Sequence, residues 1–173
     1  MKPFSVLFEH SDEITYQGKI IKKNYKLDAT GEYDLTFSFI EKNSRFNQAI
    51  VLLFLDFTGD FYIFDQKYKL PNSRFPKVNF WFEESNTEIS VKINLVKGTV
   101  LICNGSDPLG NKQICHSLCF GCALQVEEHD DKLIFYCNDH ENDDDFDDLV
   151  FELRDNKGTI LKGHKTGGGS VVP

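Results

Sequence analysis

Tyr33-Asp34-Leu35-Thr36-Phe37-Ser38-Phe39 alternates apolar and polar residues without a break. Side chains on a strand point to opposite faces in turn, so Tyr33, Leu35, Phe37 and Phe39 share one face and Asp34, Thr36 and Ser38 the other. Ile89, Val91, Ile93 and Leu95 alternate with Ser90, Lys92 and Asn94 in the same way. Shorter runs rich in β-branched and aromatic residues lie on both sides of these two: Ala49 to Phe57, Phe61 to Phe64, Val78 to Phe82, Thr99 to Cys103, Ala123 to Val126, Lys132 to Cys137 and Leu149 to Leu153. Turn-forming groups separate them, among them Thr58-Gly59-Asp60, Pro71-Asn72-Ser73, Lys97-Gly98, Asn104-Gly105 and His129-Asp130-Asp131. No long window keeps a helical period. A short helical turn is expected at most near Asn43 to Gln48 or Gln113 to Leu118. About ten strands at this spacing predict an all-β chain folded as an antiparallel β-sandwich of jelly-roll type.

The chain has 173 residues, of which 40% are apolar and sixteen are Phe. That is globular composition with enough apolar surface for one real core. The expected organisation is one sandwich domain over 1–162, followed by a flexible Gly-rich tail over 163–173. No apolar run approaches bilayer-spanning length, so no transmembrane segment is expected. The N-terminal stretch also lacks an apolar core of signal-peptide length. The compartment stays open between the cytoplasm and export by a route without such a signal. Five cysteines, an odd number, leave at least one free thiol. Asn104-Gly105-Ser106 is a glycosylation sequon, relevant only in a secreted protein.

Charge is concentrated in one place. The ten residues from Asp139 to Asp148 hold seven carboxylates and no Lys or Arg, against a net charge of −8 for the whole chain. The remainder of the molecule is close to neutral. No basic stripe exists for nucleic acid, and that class of partner is set aside. The acidic run joins two expected strands, Lys132 to Cys137 and Leu149 to Leu153, and so forms the tip of a hairpin. Like charges a few ångströms apart in water repel by about 1 kcal/mol per pair, and a divalent cation removes that cost. Ca²⁺ takes six to eight oxygens and tolerates irregular geometry, which suits such a loop. An EF-hand is excluded: with the loop started at Asp139, position six is Asp144 and position twelve is Val150, and the flanking pattern is strand.

Asp143-Asp144-Asp145-Phe146-Asp147-Asp148-Leu149-Val150 resembles the D-x-D-[FY]-[ND]-D-x-V loop of the calcium-mediated bacterial lectins that bind fucose and mannose. The resemblance covers about 25 residues. It implies a pair of adjacent Ca²⁺ ions, with Asp139, Asp143, Asp145 and Asp148 on one and Asp145, Asp147 and Asp148 on the other. Two sugar hydroxyls would complete the shells, so that Asp145, Asp147 and Asp148 would also form the carbohydrate site. A further Asn ligand in that family has a candidate here in Asn104. The implied partner is a glycan or glycoprotein, and a homo-oligomer is compatible with it. Asp147 stands where the family prefers Asn, and this chain continues well beyond the point where the family ends.

Cys115-His116-Ser117-Leu118-Cys119-Phe120-Gly121-Cys122 spells C-x3-C-x2-C. Three thiolates with His116, Cys103 or Cys137 would suffice for zinc. The alternatives are disulfides in an exported protein, or small apolar packing of Cys119 and Cys122 around a Gly turn. His140 is expected to be an exposed side chain, because Ca²⁺ prefers oxygen. Two functional expectations remain. One is a calcium-dependent carbohydrate-binding module without bond-making chemistry. The other is a structural or adhesive protein in which calcium only rigidifies the loop or bridges to a partner. An enzyme is not expected, since such a loop offers no visible separation of carboxylate pKa values.

Overall fold

A computed structural model describes residues 4–85, 87–111, 115–116, 122–139, 145–158 and 160, with the backbone alone at 5, 115 and 116. The Gly-rich tail at 163–173, Asp143, His140 and Cys119 lie outside the described residues. A single helical turn, α1 (Phe4–Leu7), precedes the strands. These are β1 (Glu13–Tyr16), β2 (Lys19–Lys22), β3 (Tyr25–Leu27), β4 (Gly31–Glu41), β5 (Asn47–Ile63), β6 (Gln66–Lys67), β7 (Lys77–Trp81), β8 (Glu88–Asp107), β9 (Cys115–His116), β10 (Ala123–Glu128), β11 (Leu133–Asn138) and β12 (Leu149–Asp155). All pairings are antiparallel, and the expected all-β architecture is what the structure shows. No helix among the described residues is long and apolar enough to cross a membrane.

The sheet path runs β1-β2-β10-β11-β12-β4-β8-β5-β6, with β3 and β9 on β8 and β7 on β5. Two long strands let this one sheet act as two layers. The first half of β8 pairs with β4, and its second half pairs with β3. β5 follows β8 along both halves, from Asn47↔Asp107 to Ile63↔Val91, with register shifts around Thr58. The bend falls there. Asp56 has φ +48°, and Gly59 and Gly98 have φ +148° and +99°. A Cβ on Gly98 would collide with the Leu55 and Asp56 carbonyls, and one on Gly59 with the Asn94 carbonyl. Only glycine allows the two backbones to approach this closely. Thr58-Gly59-Asp60 and Lys97-Gly98 are therefore bends inside continuous strands, where the sequence reads as chain-reversing turns. Asn104-Gly105 likewise lies inside β8.

The core forms between the two layers. Tyr33, Leu35, Phe37 and Phe39 all point into it, as their alternation requires, together with Ile89, Val91, Ile93 and Leu95. Ile50, Leu52, Phe54, Val100 and Ile102 close it from the other half. Phe135 stacks on Phe151 across β11 and β12 with ring centroids 4.5 Å apart, a contact worth about 1 kcal/mol beyond its area. A smaller cluster of Phe4, Phe8, Ile21, Ala123 and Phe146 covers the outer face around β2 and β10. It accounts for α1, which has no period long enough to be read from sequence. The helical turn expected near Asn43 to Gln48 is absent: residues 42–46 form an irregular link, and Asn47 opens β5.

Candidate metal centre in the β11–β12 loop

The acidic segment is the connection of a true hairpin, with Cys137 opposite Leu149 and Leu133 opposite Leu153. Its four described acids are of two kinds. Asp139 and Asp148 are buried, at 0% and 4% exposure. Asp145 is exposed and Asp147 half-buried.

The buried pair is a scaffold. The Asp139 backbone N–H donates to Asp148 Oδ2 at 2.8 Å, which ties the two ends of the loop together. Asp139 Oδ2 accepts from Ser44 Oγ at 2.8 Å and from Gln48 Nε2 at 3.0 Å. The Ser44 backbone N–H approaches the Asp148 carbonyl at 3.4 Å. The β4–β5 link is thereby docked against the acidic loop. Charge-assisted bonds of this kind are roughly twice as strong as neutral ones.

Asn104 also belongs to this interior. It is fully buried in β8, and its Nδ2 donates to the Asn138 carbonyl at 3.0 Å. Its sequon is therefore closed to modification in the folded chain, and it supports the loop from beneath instead of facing solvent. Gln48 and Asn104 have fixed amide orientations, because flipping either would set oxygen against oxygen. Their outward atoms, Gln48 Oε1 and Asn104 Oδ1, are buried with no hydrogen-bond partner among the described residues. They occupy the same face of the paired strands, in register diagonal to each other. The polar end of the core thus carries two uncommitted carbonyl-type oxygens beside the loop.

The exposed part has a different composition. Asn43 Nδ2 donates to Glu41 Oε1 at 3.1 Å and to Asp147 Oδ2 at 3.2 Å. One amide is held between a carboxylate at the end of β4 and one from the β11–β12 loop. Lys42, between them in sequence, turns away to the Ser44 carbonyl at 2.6 Å. Among the described residues neither Glu41 nor Asp147 has a Lys or Arg ion-pair partner. The Asp147 backbone N–H approaches Asp145 Oδ1 at 3.4 Å, which curls the loop around this point. Sequence reading missed Glu41, Asn43, Ser44 and Gln48. One Asn or Gln in a polar link carries no signal of its own until β4 and β5 bring it to the loop.

Phe146 pins the acidic loop to the fold. It adopts φ +59°, a conformation unusual for an aromatic residue, and is buried. Its ring meets Phe4 edge-on at 5.6 Å, and Phe4 meets Tyr16 at 5.4 Å. One apolar residue turned inward leaves Asp145 and Asp147 on its two sides directed away from the core.

Cys103, Cys122 and Cys137 are buried, and Cys137 is a free thiol. Burial, then Cys122, Asp148 and Cys103, push the Cys137 thiol well above its ordinary range, so it stays a protonated, inert group. Among the described residues no three His, Cys, Asp or Glu side chains converge on one metal position. The side chains of Cys115, His116 and Cys119 lie outside the described residues.

Comparison of the chain with protein-family models, with curated proteins and with solved structures gives no match.

Proposed function

We propose that this protein is a calcium-dependent binding module, in which the β11–β12 loop takes the cation and the bound cation presents open positions to glycan hydroxyls. The observation that carries the reading is the Asn43 amide held between Glu41 and Asp147. An N–H donor placed between two carboxylates marks a point where positive charge is wanted and no Lys or Arg among the described residues supplies it. Ca²⁺ would draw on the same carboxylate oxygens, on Asp145 and, with the Asn43 amide turned over, on Asn43 Oδ1. Asp143 completes the acidic set by sequence. Asp139 and Asp148 hold the loop ends, which limits the entropy lost on binding.

The fit is to a hard, oxygen-seeking ion. All the groups named are carboxylates or amides, with no thiolate or imidazole among them. When bound, such an ion supplies a positive charge with coordination sites left over for vicinal hydroxyls. A second reading, calcium as a purely structural brace, is favoured by the buried Asp139–Asp148 tie. Two measurements on the same sample separate them. Titrating chelator-treated protein with Ca²⁺ by calorimetry should give saturable heat. A glycan array with and without chelator should then show metal-dependent binding to particular sugars. Heat without any sugar response supports the brace, and no heat removes both readings.

A further inference from the structure

Between β6 and β7 the chain forms a loop over 68–76 that contains Pro71-Asn72-Ser73. No Asp or Glu occurs from Gln66 to Phe82, whereas Lys67, Lys69, Arg74 and Lys77 all fall there. In a chain of net charge −8 this segment is a cationic island. Both ends of the loop are fixed. The Tyr68 backbone N–H donates to the Phe61 carbonyl at 2.8 Å, and the Phe54 N–H donates to the Pro76 carbonyl at 2.8 Å. Pro71 and Pro76 restrict φ within the loop, and the Phe75 N–H reaches Ser73 Oγ at 3.3 Å. The loop is thus held in shape while residues 71–75 stand exposed.

What the loop displays is aromatic and positive at once. Phe75 is 51% exposed and Tyr68 41%. The Arg74 guanidinium lies 5.1 Å from the centre of the Phe75 ring, so ring and charge are presented together. Lys67 is already paired with Asp60 at 2.5 Å. Lys69, Arg74 and Lys77 have no ion-pair partner among the described residues. Lys69 and Arg74 are exposed, and both line an open cleft of about 590 Å³ under the loop. Asp56 is exposed on the same wall and offsets one of the three cations. The acidic loop does not offset the others. Gln48, which binds Asp139, and Phe54, which binds Pro76, are six residues apart on β5. At 3.3 Å per residue that is roughly 20 Å, well beyond a screening length of about 8 Å in physiological salt.

We infer that the 68–76 loop docks the protein on an anionic lipid surface, with Phe75 and Tyr68 entering the headgroup layer and Lys69, Arg74 and Lys77 meeting lipid phosphates and carboxylates. A soluble polyanion would satisfy the cations and leave both rings in water. A neutral apolar partner would cover the rings and strip water from unpaired cations. The headgroup layer of an anionic bilayer takes both, because aromatic rings sit at that depth and cations beside them keep their charge at the phosphates. The loop is also far smaller than the 20–30 residues a side of a typical stable protein interface. Docking by this loop is independent of the calcium reading, since it uses none of the proposed ligands.

The test is co-sedimentation of the full chain with two kinds of vesicle, pure phosphatidylcholine and phosphatidylcholine with one-third phosphatidylserine. Chelator is present throughout, so that calcium cannot bridge the acidic loop to lipid. Binding to the phosphatidylserine vesicles is expected, weaker by about tenfold or more on pure phosphatidylcholine and falling again in about 0.5 M sodium chloride. The double variant Lys69→Glu, Arg74→Glu should lose about tenfold or more in partitioning. Phe75→Ala should lose about threefold or more with the salt dependence unchanged, because it removes buried apolar area and no charge. These side chains are exposed, so the variants should keep the melting temperature of the parent. Lys19→Glu, on the far side of the molecule in β2, serves as the charge control and should bind as the parent does. Absence of binding to the phosphatidylserine vesicles overturns the assignment, as does equal binding to both kinds. Parent-like binding of Phe75→Ala also overturns it, since the loop would then act as a charge patch for any polyanion. So would an equal loss in Lys19→Glu and the double variant, which would reduce the effect to net charge.

Discussion

The Asp139 backbone N–H and the Asp148 carboxylate meet at 2.8 Å beneath the acidic loop, while the Asp139 carboxylate itself reaches across to Ser44 and Gln48. Two residues that sequence alone counts as metal ligands are thus also the joint between the β11–β12 hairpin and the β4–β5 link. Removing one side of a buried charge-assisted network leaves its donors without acceptors. Asp139→Ala should therefore destabilise the chain by about 2–4 kcal/mol even in the absence of metal. Urea unfolding in chelator measures this, and a loss below about 0.5 kcal/mol would place Asp139 outside the scaffold.

Asn43 and Asp147 predict the complementary result. Neither is part of the core, and Asn43→Ala or Asp147→Ala should change stability in chelator by no more than about 0.5 kcal/mol. Their effect should appear only with calcium. At a hundred times its dissociation constant, an ion that binds only the folded state adds about 2.7 kcal/mol. Most of that gain should vanish in both variants. Thermal melts with calcium and with chelator provide the comparison. If both variants kept the full calcium-dependent rise, the ion would bind elsewhere.

Phe146 links metal affinity to the N-terminal turn. Its ring is held by Phe4, 5.6 Å away, far from any carboxylate ligand in sequence. Phe4→Ala removes that packing, and truncating a buried Phe costs about 3–5 kcal/mol where the site cannot collapse. Because the loop must then be ordered by the ion, calcium affinity should fall although every proposed ligand is intact. Calorimetric titration at a temperature where the variant remains folded tests this. Unchanged affinity would mean that the loop is shaped without Phe146.

Much of this fold can be read in the alternation of Tyr33 to Phe39 and Ile89 to Leu95, because a buried face forces period two on the sequence. The hairpin around the acidic loop was legible from the β-branched and aromatic runs on either side of it. The long strands were not. Gly59 and Gly98 signal positive φ, but a chain reversal and a bend within a strand need the same φ, and only pairing with a neighbour distinguishes them. β1 to β3 were too short to show a period, although the turn at Gln17-Gly18, with φ +49° and +76°, has the two positive φ values of a tight hairpin. At the site, the charge of the loop was visible and its partners were not. Asn43 and Gln48 reach Asp147 and Asp139 across 104 and 91 residues of chain.

Alkaline pH should weaken the fold through its tyrosines. Burial first, and neighbouring acids second, raise the pKa of Tyr25 and Tyr33 above the ordinary value. The same two causes raise Tyr136, with Glu127 as the acid. A raised folded-state pKa means that the stabilisation is fully present below about 10, where the unfolded phenols begin to ionise, and is lost as pH rises through the folded values. Denaturant midpoints should fall across that window, and Tyr33→Phe should flatten the fall. A flat profile above pH 10 in the parent would contradict the burial of these hydroxyls.

The bend at Gly98 supplies the last prediction, because it decides whether one sheet can serve as two layers. With φ +99°, any Cβ at this position lies 2.6 Å from the Asp56 carbonyl oxygen and closer still to that of Leu55. Both contacts are backbone, so no side-chain rotation relieves them. The chain must open the β5–β8 pairing just where Asp56 holds φ +48° and the register shifts. Gly98→Ala combines an unfavourable φ with a steric clash and should cost about 2–4 kcal/mol. Gly110→Ala is the control. It too has positive φ, but a Cβ there meets nothing within 4 Å, so its cost should be confined to backbone strain of about 1 kcal/mol. Equal losses in the two variants would show that close approach of β5 and β8 does not set the bend.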